Sequence, residues 1–206
     1  MVPSLTAAAV RAAFPAGTVL HNPVTGELAR IIEHTEERGV GQRLAVRGAA
    51  MPGAHRHPQQ DERFEVLEGV LGYRRAEERG ELRAGESADV PAGVVHDWWN
   101  AGDGTLRARV VMTPPGSFVA MIAAVWGLAA LGRTTSKGKP RLLDAALLGE
   151  AFGEELVFER PPLAVQRALV ATVAPLARRL GRSVTTDDVV RAAVVRTNER
   201  GYTGAN

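Results

Sequence analysis

The chain has 206 residues, is 45% hydrophobic and 23% charged, and carries a formal net charge of +2 with no cysteine. That length suits one domain plus an appendage. The absence of thiols excludes a disulfide scaffold, a thiolate metal site and cysteine nucleophilic catalysis, and so small a net charge gives no support to a nucleic-acid partner. At the start, Met1 to Phe14 has no basic stretch followed by an apolar core, and Arg11 interrupts what apolar character there is. A secretory signal is therefore not expected, and a cytoplasmic location fits. Ser4 can cap a short helix over Leu5 to Phe14, which Pro15 and Gly17 stop. Residues 1–17 read as an arm that packs against the strands after it or against a partner.

Strands then succeed one another. Thr18 to His21 is the first, Asn22 to Glu27 a turn, and Leu28 to His34 the returning strand. His21 and His34 read as surface or strand-edge residues rather than ligands. Thr35 to Gly39 is a solvated turn. Gln42 to Arg47 alternates, with Leu44 and Val46 facing one way and Arg43, Ala45 and Arg47 the other.

The stretch from His55 to Asn100 carries the chemistry. His55 and His57 lie one residue apart on an extended run, so both point to one face. Glu62 leads a second run through Leu67, and His96 leads a third through Trp99. If the three runs lie side by side, three imidazoles and one carboxylate converge. Neutral imidazole nitrogens with a carboxylate oxygen make a site for a first-row transition metal. Phe64 and Val66 share the face of Glu62, Leu71 and Tyr73 follow on the next strand, and Trp98 shares the face of His96. Trp98 reads equally well as a pocket wall or a core aromatic. Pro91-Ala92-Gly93 is a tight turn, in which proline fixes φ and glycine permits an unusual one. Leu106 to Met112 is the last strand, with Leu106, Ala108, Val110 and Met112 inward. Strands at this spacing argue a sandwich or barrel.

These residues resemble the motifs of the cupins, small jelly-roll β-barrels. The family's first motif, Gly-x5-His-x-His-x3,4-Glu-x6-Gly, is matched by His55, His57, Glu62 and Gly69; its leading glycine falls one place early, at Gly48, and position 49 is Ala49. The second, Gly-x5-Pro-x-Gly-x2-His-x3-Asn, is matched throughout by Gly85, Pro91, Gly93, His96 and Asn100. The resemblance implies a mainly β fold, a cupin-type jelly-roll β-barrel over residues 18–114. It also implies one divalent transition metal ion (Fe, Mn, Ni, Zn, Co or Cu) held by His55, His57, Glu62 and His96. Cupins include dioxygenases, isomerases, decarboxylases and non-catalytic binders, and fold alone does not choose among them. Similarity to flavonol-cleaving members gives Glu62 a second task as proton carrier.

After Pro114-Pro115-Gly116 the composition changes. Ser117 to Gly132 carries no charge, but a membrane span needs roughly 18 to 20 continuous apolar residues. The run reads as a helix buried nearly all round, either on the barrel or in a dimer interface. Leu142 to Ala151 looks helical. Pro161 and Pro162 open a longer helix with Leu169, Val173, Leu176 and Leu180 on one stripe, kinked at Pro175 and stopped at Gly181. Thr185 or Thr186 can cap a last helix from Asp187 to about Arg196. Residues 115–206 are thus a C-terminal α-helical segment, packed on the barrel or on a partner copy, with a frayed tail from Gly201 to Asn206.

The expected function is that of a metal-dependent, oxygenase-like enzyme acting on a small organic molecule, with Glu62 catalytic and Phe64, Val66, Tyr73, Trp98 and Met112 lining the pocket. A homodimer is expected, with no nucleic acid and no membrane. The alternative is a non-catalytic metal or small-ligand binder whose helical segment contacts a partner.

Overall fold

The computed structural model describes residues 7–47 and 53–195. Ser4 and Leu5, Gly48 with the turn it opens, Arg196 and the Gly201 to Asn206 tail lie outside the described residues. In chain order the elements are α1 (Ala7–Ala13), β1 (Val19–His21), β2 (Leu28–His34), β3 (Gly39–Ala45), β4 (His55–Arg56), β5 (Asp61–Glu68), β6 (Val70–Arg75) and β7 (Glu78–Arg83). Then come β8 (Ser87–Val90), β9 (His96–Asn100), β10 (Leu106–Thr113), α2 (Phe118–Ala130), α3 (Leu142–Phe152), β11 (Val157–Phe158), α4 (Leu163–Arg179) and α5 (Asp187–Ala192).

The strands form two antiparallel sheets, ordered β1-β2-β3-β10-β5-β8 and β11-β4-β9-β6-β7. Neighbours distant in sequence, such as β3 beside β10 and β4 beside β9, give the jelly-roll arrangement. The two sheets stand as separate hydrogen-bonded layers, and their inner faces share one core of Phe64, Val66, Leu71, Trp98, Leu106, Ala108, Val110 and Met112. Period-two alternation explains that set. On β10 the buried residues are every second one, and Val110 and Met112 stand opposite Phe64 and Glu62 of β5.

The alternation of β3 resolves in an unexpected direction. Its inward face carries Arg43 and Ala45, while Val46 beyond the strand is exposed. Arg43 is accommodated because Glu27, also buried, accepts a 2.7 Å hydrogen bond from its Nη2. Its guanidinium lies 4.7 Å from the ring centre of Trp126 and 5.6 Å from that of Trp98. A buried cation is tolerated when paired and stacked in this way.

The helical extension packs on its own barrel. Val119, Ala120, Ala123, Ala124 and Trp126 of α2 share a core with Val10 and Phe14 of the arm and with Leu20, Ala29 and Ile31 of β1 and β2. Gly127 is required where α2 meets α5, because a Cβ there would collide with the Val189 carbonyl. Asp144, fully buried at the start of α3, accepts from Arg133 at 2.5 Å and Arg182 at 2.9 Å, tying three connections together.

Two features of the extension depart from the helical reading. First, it contains a strand: β11 pairs with β4, matching Val157 to Arg56 and Phe158 to His55. Residues 193–195 also run along β1, with Leu20 bridged to Val194 and the Val195 N–H donating to the Val19 carbonyl at 2.9 Å. Second, the leucine stripe of α4 faces out. Leu169, Leu176 and Leu180 are exposed, and the helix packs through Ala174 and Ala177. Small residues allow α3 and α4 to approach; a Cβ on Gly149 would stand only 2.8 Å from Val170.

Candidate metal centre

His55, His57, Glu62 and His96 converge. Each is at least 96% buried, since none is more than 4% exposed, and one potential ligand atom from each lies within 4.8 Å of all the others. Three strands bring them there. His55 stands directly opposite His96 across the β4–β9 pair, and Glu62 comes from β5 of the facing sheet, opposite Met112. His57 follows β4, and its carbonyl accepts the Gly93 N–H at 2.8 Å, so the Pro91–Gly93 turn is anchored to a ligand residue. Ring centres are 4.4 Å apart for His55 and His96, 5.0 Å for His55 and His57, and 5.5 Å for His57 and His96.

The protons of the imidazoles are placed by their neighbours. Each Nδ1 faces a backbone carbonyl: Gly53 at 2.7 Å for His55, Glu155 at 2.7 Å for His57 and Val94 at 3.0 Å for His96. A carbonyl can only accept, so Nδ1 carries hydrogen in all three. In the neutral ring that leaves the Nε2 lone pair for the shared space, as metal-binding histidines require. His57 Nε2, His96 Nε2 and Glu62 Oε2 are buried and have no hydrogen-bond partner. Glu62 Oε2 lies 2.7 Å from His96 Nε2 and 3.6 Å from His57 Nε2, but neither contact has hydrogen-bond geometry. Buried polar atoms left this way are costly, and a cation among them would satisfy all three. The donor set therefore fits a transition metal ion.

Electrostatics agree with the geometry. Burial, reinforced by the neighbouring His96, pushes His55 down to about 4, so it is neutral near pH 7. Burial alone would raise Glu62, but the imidazoles of His57 and His96 outweigh it and hold the carboxyl well below the ordinary range. Burial likewise opposes the charge on His96, and the Glu62 carboxylate overcomes it, raising His96 above its ordinary value.

The residues expected to line a pocket are differently placed. Phe64, Val66, Trp98 and Met112 are buried together, with the Phe64 ring 6.4 Å from His96 and 5.6 Å from Trp98. Tyr73 is half-buried, and its hydroxyl donates to Glu78 at 2.7 Å. A cavity of about 30 Å³, roughly one water, lies instead beneath α2 and includes Met112, Gly41, Arg43, Phe118, Val119 and Ile122 in its lining. Phe118 also stands edge-on to His57, with ring centres 5.6 Å apart. His21 and His34 are not part of the cluster.

Glu155 was not visible from the sequence as part of the site. Besides its carbonyl on His57, its carboxylate accepts from Gln60 Nε2 at 2.6 Å and from the Ser117 N–H at 2.9 Å. No sequence motif marks a residue that contributes a backbone oxygen.

A family model for the cupin domain matches residues 43–113. No curated protein matches the chain. Among solved structures, KdgF from Halomonas sp. is similar over 45% of this chain and 84% of its own, with 18% identity and a TM-score of 0.42. An RmlC-like cupin from Shewanella frigidimarina is similar over 47% of this chain and 84% of its own, with 20% identity and a TM-score of 0.42. A sugar phosphate isomerase from a cupin superfamily, from Silicibacter pomeroyi, is similar over 45% of this chain and 62% of its own, with 26% identity and a TM-score of 0.39. Among the described residues no helix is long and apolar enough to cross a membrane. Residues 43–113 thus match a cupin domain that carries the histidine–glutamate constellation, and a helical extension follows it.

Proposed function

We propose that this protein is a metal-dependent, oxygenase-like cupin that acts on a small organic molecule. The observation that carries the reading is the set of buried, unpartnered atoms, His57 Nε2, His96 Nε2 and Glu62 Oε2, gathered beside His55. His55, His57, Glu62 and His96 are the ligands of one divalent ion among Fe, Mn, Ni, Zn, Co and Cu. Bound there, the ion supplies Lewis acidity and, if redox-active, dioxygen chemistry.

The chain's own residues do the rest. The three Nδ1–H donors fix the ring planes, and the apolar shell of Phe64, Val66, Trp98 and Met112 keeps water from the centre. Tyr73 completes the lining in this reading. Glu62 is the catalytic residue and carries a proton at Oε2. Its lowered pKa favours the carboxylate and so suits it to hold a metal; Oε2 would be open to a proton only while it is not serving as a ligand. An apolar substrate is favoured, because the cavity under α2 is walled by Met112, Phe118, Val119 and Ile122. A larger ligand enters only if the start of α2 moves.

The working division is an arm over 1–17, the barrel over 18–114 and the extension over 115–206. The protein is cytoplasmic, with no nucleic-acid or membrane partner, and homodimeric through the exposed Leu169 and Leu176 of α4 and Leu180 just after it. That face also supports a second reading, a non-catalytic metal or small-ligand binder whose extension contacts a partner.

Elemental analysis of protein purified without chelator or metal-affinity resin tests the metal. Absence of a stoichiometric transition metal, with none taken up on addition, ends this reading. Dioxygen uptake with candidate substrates supports the enzyme, and tight binding without turnover supports the binder. Sedimentation of the Leu169→Glu, Leu176→Glu double variant tests the dimer, which it should convert to monomer.

A further inference from the structure

We infer that Glu155 is a positioning residue for the ligand His57, so that metal binding and seating of residues 153–159 are linked. The inference rests on the metal reading above and concerns how the extension takes part in it. For His55 and His96 the carbonyl that accepts the Nδ1 hydrogen belongs to a residue only two places earlier, Gly53 and Val94. Those acceptors travel with their own histidines. His57 differs, because its acceptor is the carbonyl of Glu155, 98 residues later.

That distant carbonyl is held from both sides. Before it, the Glu155 carboxylate takes the Gln60 amide at 2.6 Å and the Ser117 N–H at 2.9 Å. The fit is close, since a Cβ on Gly116 would strike this carboxylate. After it, β11 pairs with β4, the Glu159 N–H donates to the Ala54 carbonyl at 2.9 Å, and the Glu159 carboxylate takes Arg74 at 2.7 Å. The segment therefore runs beside the histidine-bearing strand and ends its path with a hydrogen bond to the residue before His55. With the segment displaced, His57 loses the partner that commits its hydrogen to Nδ1, and the ring is free to turn or change tautomer. A ligand that needs the segment in place must, by reciprocity, favour the segment being in place when metal is bound.

The test uses the full chain and zinc as probe. Dissociation constants are measured by chelator competition for wild type, Glu155→Ala and Glu155→Gln, with circular dichroism to check folding. Loss of the acceptor's anchor should weaken zinc binding about 10- to 100-fold in Glu155→Ala. Glu155→Gln keeps an oxygen for the Ser117 N–H and should restore most of the affinity. Imidazole nitrogen NMR should show His57 alone losing its Nδ1–H tautomer in Glu155→Ala, an effect that general destabilisation would not confine to one ring. In wild type, zinc should slow amide exchange at Glu155 to Glu159, which needs no variant. Wild-type affinity in Glu155→Ala, or unchanged exchange in this segment on zinc binding, overturns the inference and leaves the metal reading intact. Failure of wild type to bind zinc or any other transition metal takes both down.

Discussion

Glu62 Oε2 and His96 Nε2 stand 2.7 Å apart in a site closed to water, without a hydrogen bond between them. Each makes the other's charged form more favourable: the carboxylate raises His96 and the imidazoles lower Glu62. In the metal-free protein the carboxylate thus favours the protonated form of His96, whose extra proton a metal ion must displace. Zinc binding should release protons, and the number released should fall as pH rises through the raised pKa of His96. Calorimetry in buffers of differing ionisation enthalpy measures this. No proton release at pH 6.5 would mean that His96 is already neutral.

Stability of the metal-free fold should depend on acid in a defined direction. His96, raised in the fold, contributes stability that is complete below its ordinary 6.5 and is lost as pH rises through its raised value. Glu62, lowered in the fold, contributes above its ordinary 4.5 and loses that contribution as pH falls toward its lower folded value. His55 is the large acid-sensitive group: lowered from 6.5 to about 4, it contributes above 6.5 and loses that contribution on the way down. The shift corresponds to roughly 3 kcal/mol. Denaturant unfolding of metal-free protein at pH 7 and pH 4 should show a loss of that order, and His55→Gln should remove most of the dependence.

Replacing His57 by Ala should abolish stoichiometric metal, read by elemental analysis after dialysis against the ion. The substitution removes the Nε2 ligand and leaves the Glu155 carbonyl without its donor, so the 153–159 segment should also become more exchange-labile. Retention of metal at the wild-type ratio would show that the ligand set is wrong.

Arg43 and Glu27 are a buried pair, with Arg43 stacked near Trp126. Truncating one partner leaves the other charged and unpaired in the interior, at a cost of about 3–5 kcal/mol. Arg43→Leu should approach that loss, and Arg43→Leu combined with Glu27→Leu should recover a large part of it. Chemical unfolding of both variants gives the comparison. Trp126 fluorescence should shift in Arg43→Leu, because the guanidinium leaves its ring.

Gly127→Ala should loosen α2 from α5, since the added methyl meets the Val189 carbonyl and a backbone atom cannot rotate away. Overpacking of this kind costs about 1–3 kcal/mol. Thermal unfolding reads the loss. The metal site lies in the sheets, so zinc affinity should hold if the fold is retained.

Much of this architecture was legible in the chain. The period-two runs around Phe64 to Val66 and Leu106 to Met112 located inner faces correctly, because one side of each strand is apolar. His55, His57, Glu62 and His96 stood out through their spacing and met as the strands required. Arg43 was harder, because alternation identifies two faces without saying which is inside. Leu44 and Val46 are the apolar choice, but Glu27, Trp98 and Trp126 together make the other side hospitable to a cation. On α4 the small residues Ala174 and Ala177 won the packing, since they let the backbone come close, and the leucines were left outside. Val157 and Phe158 form too short a run for any periodicity to show, and Glu155 acts through an atom that every residue possesses.

The edge strands of the two sheets have consequences for synthesis. β4 has β9 on one side, and its other neighbour is β11, which lies beyond α2 and α3 in the chain. β1 similarly waits for residues 193–195. A nascent polypeptide that has just released Thr113 from the ribosome thus lacks the cover of two rims that the finished chain pairs, and such rims invite wrong partners. Translation of β11 and of residues 193–195 is what closes them, so pausing within the extension should leave the histidine strand vulnerable to aggregation.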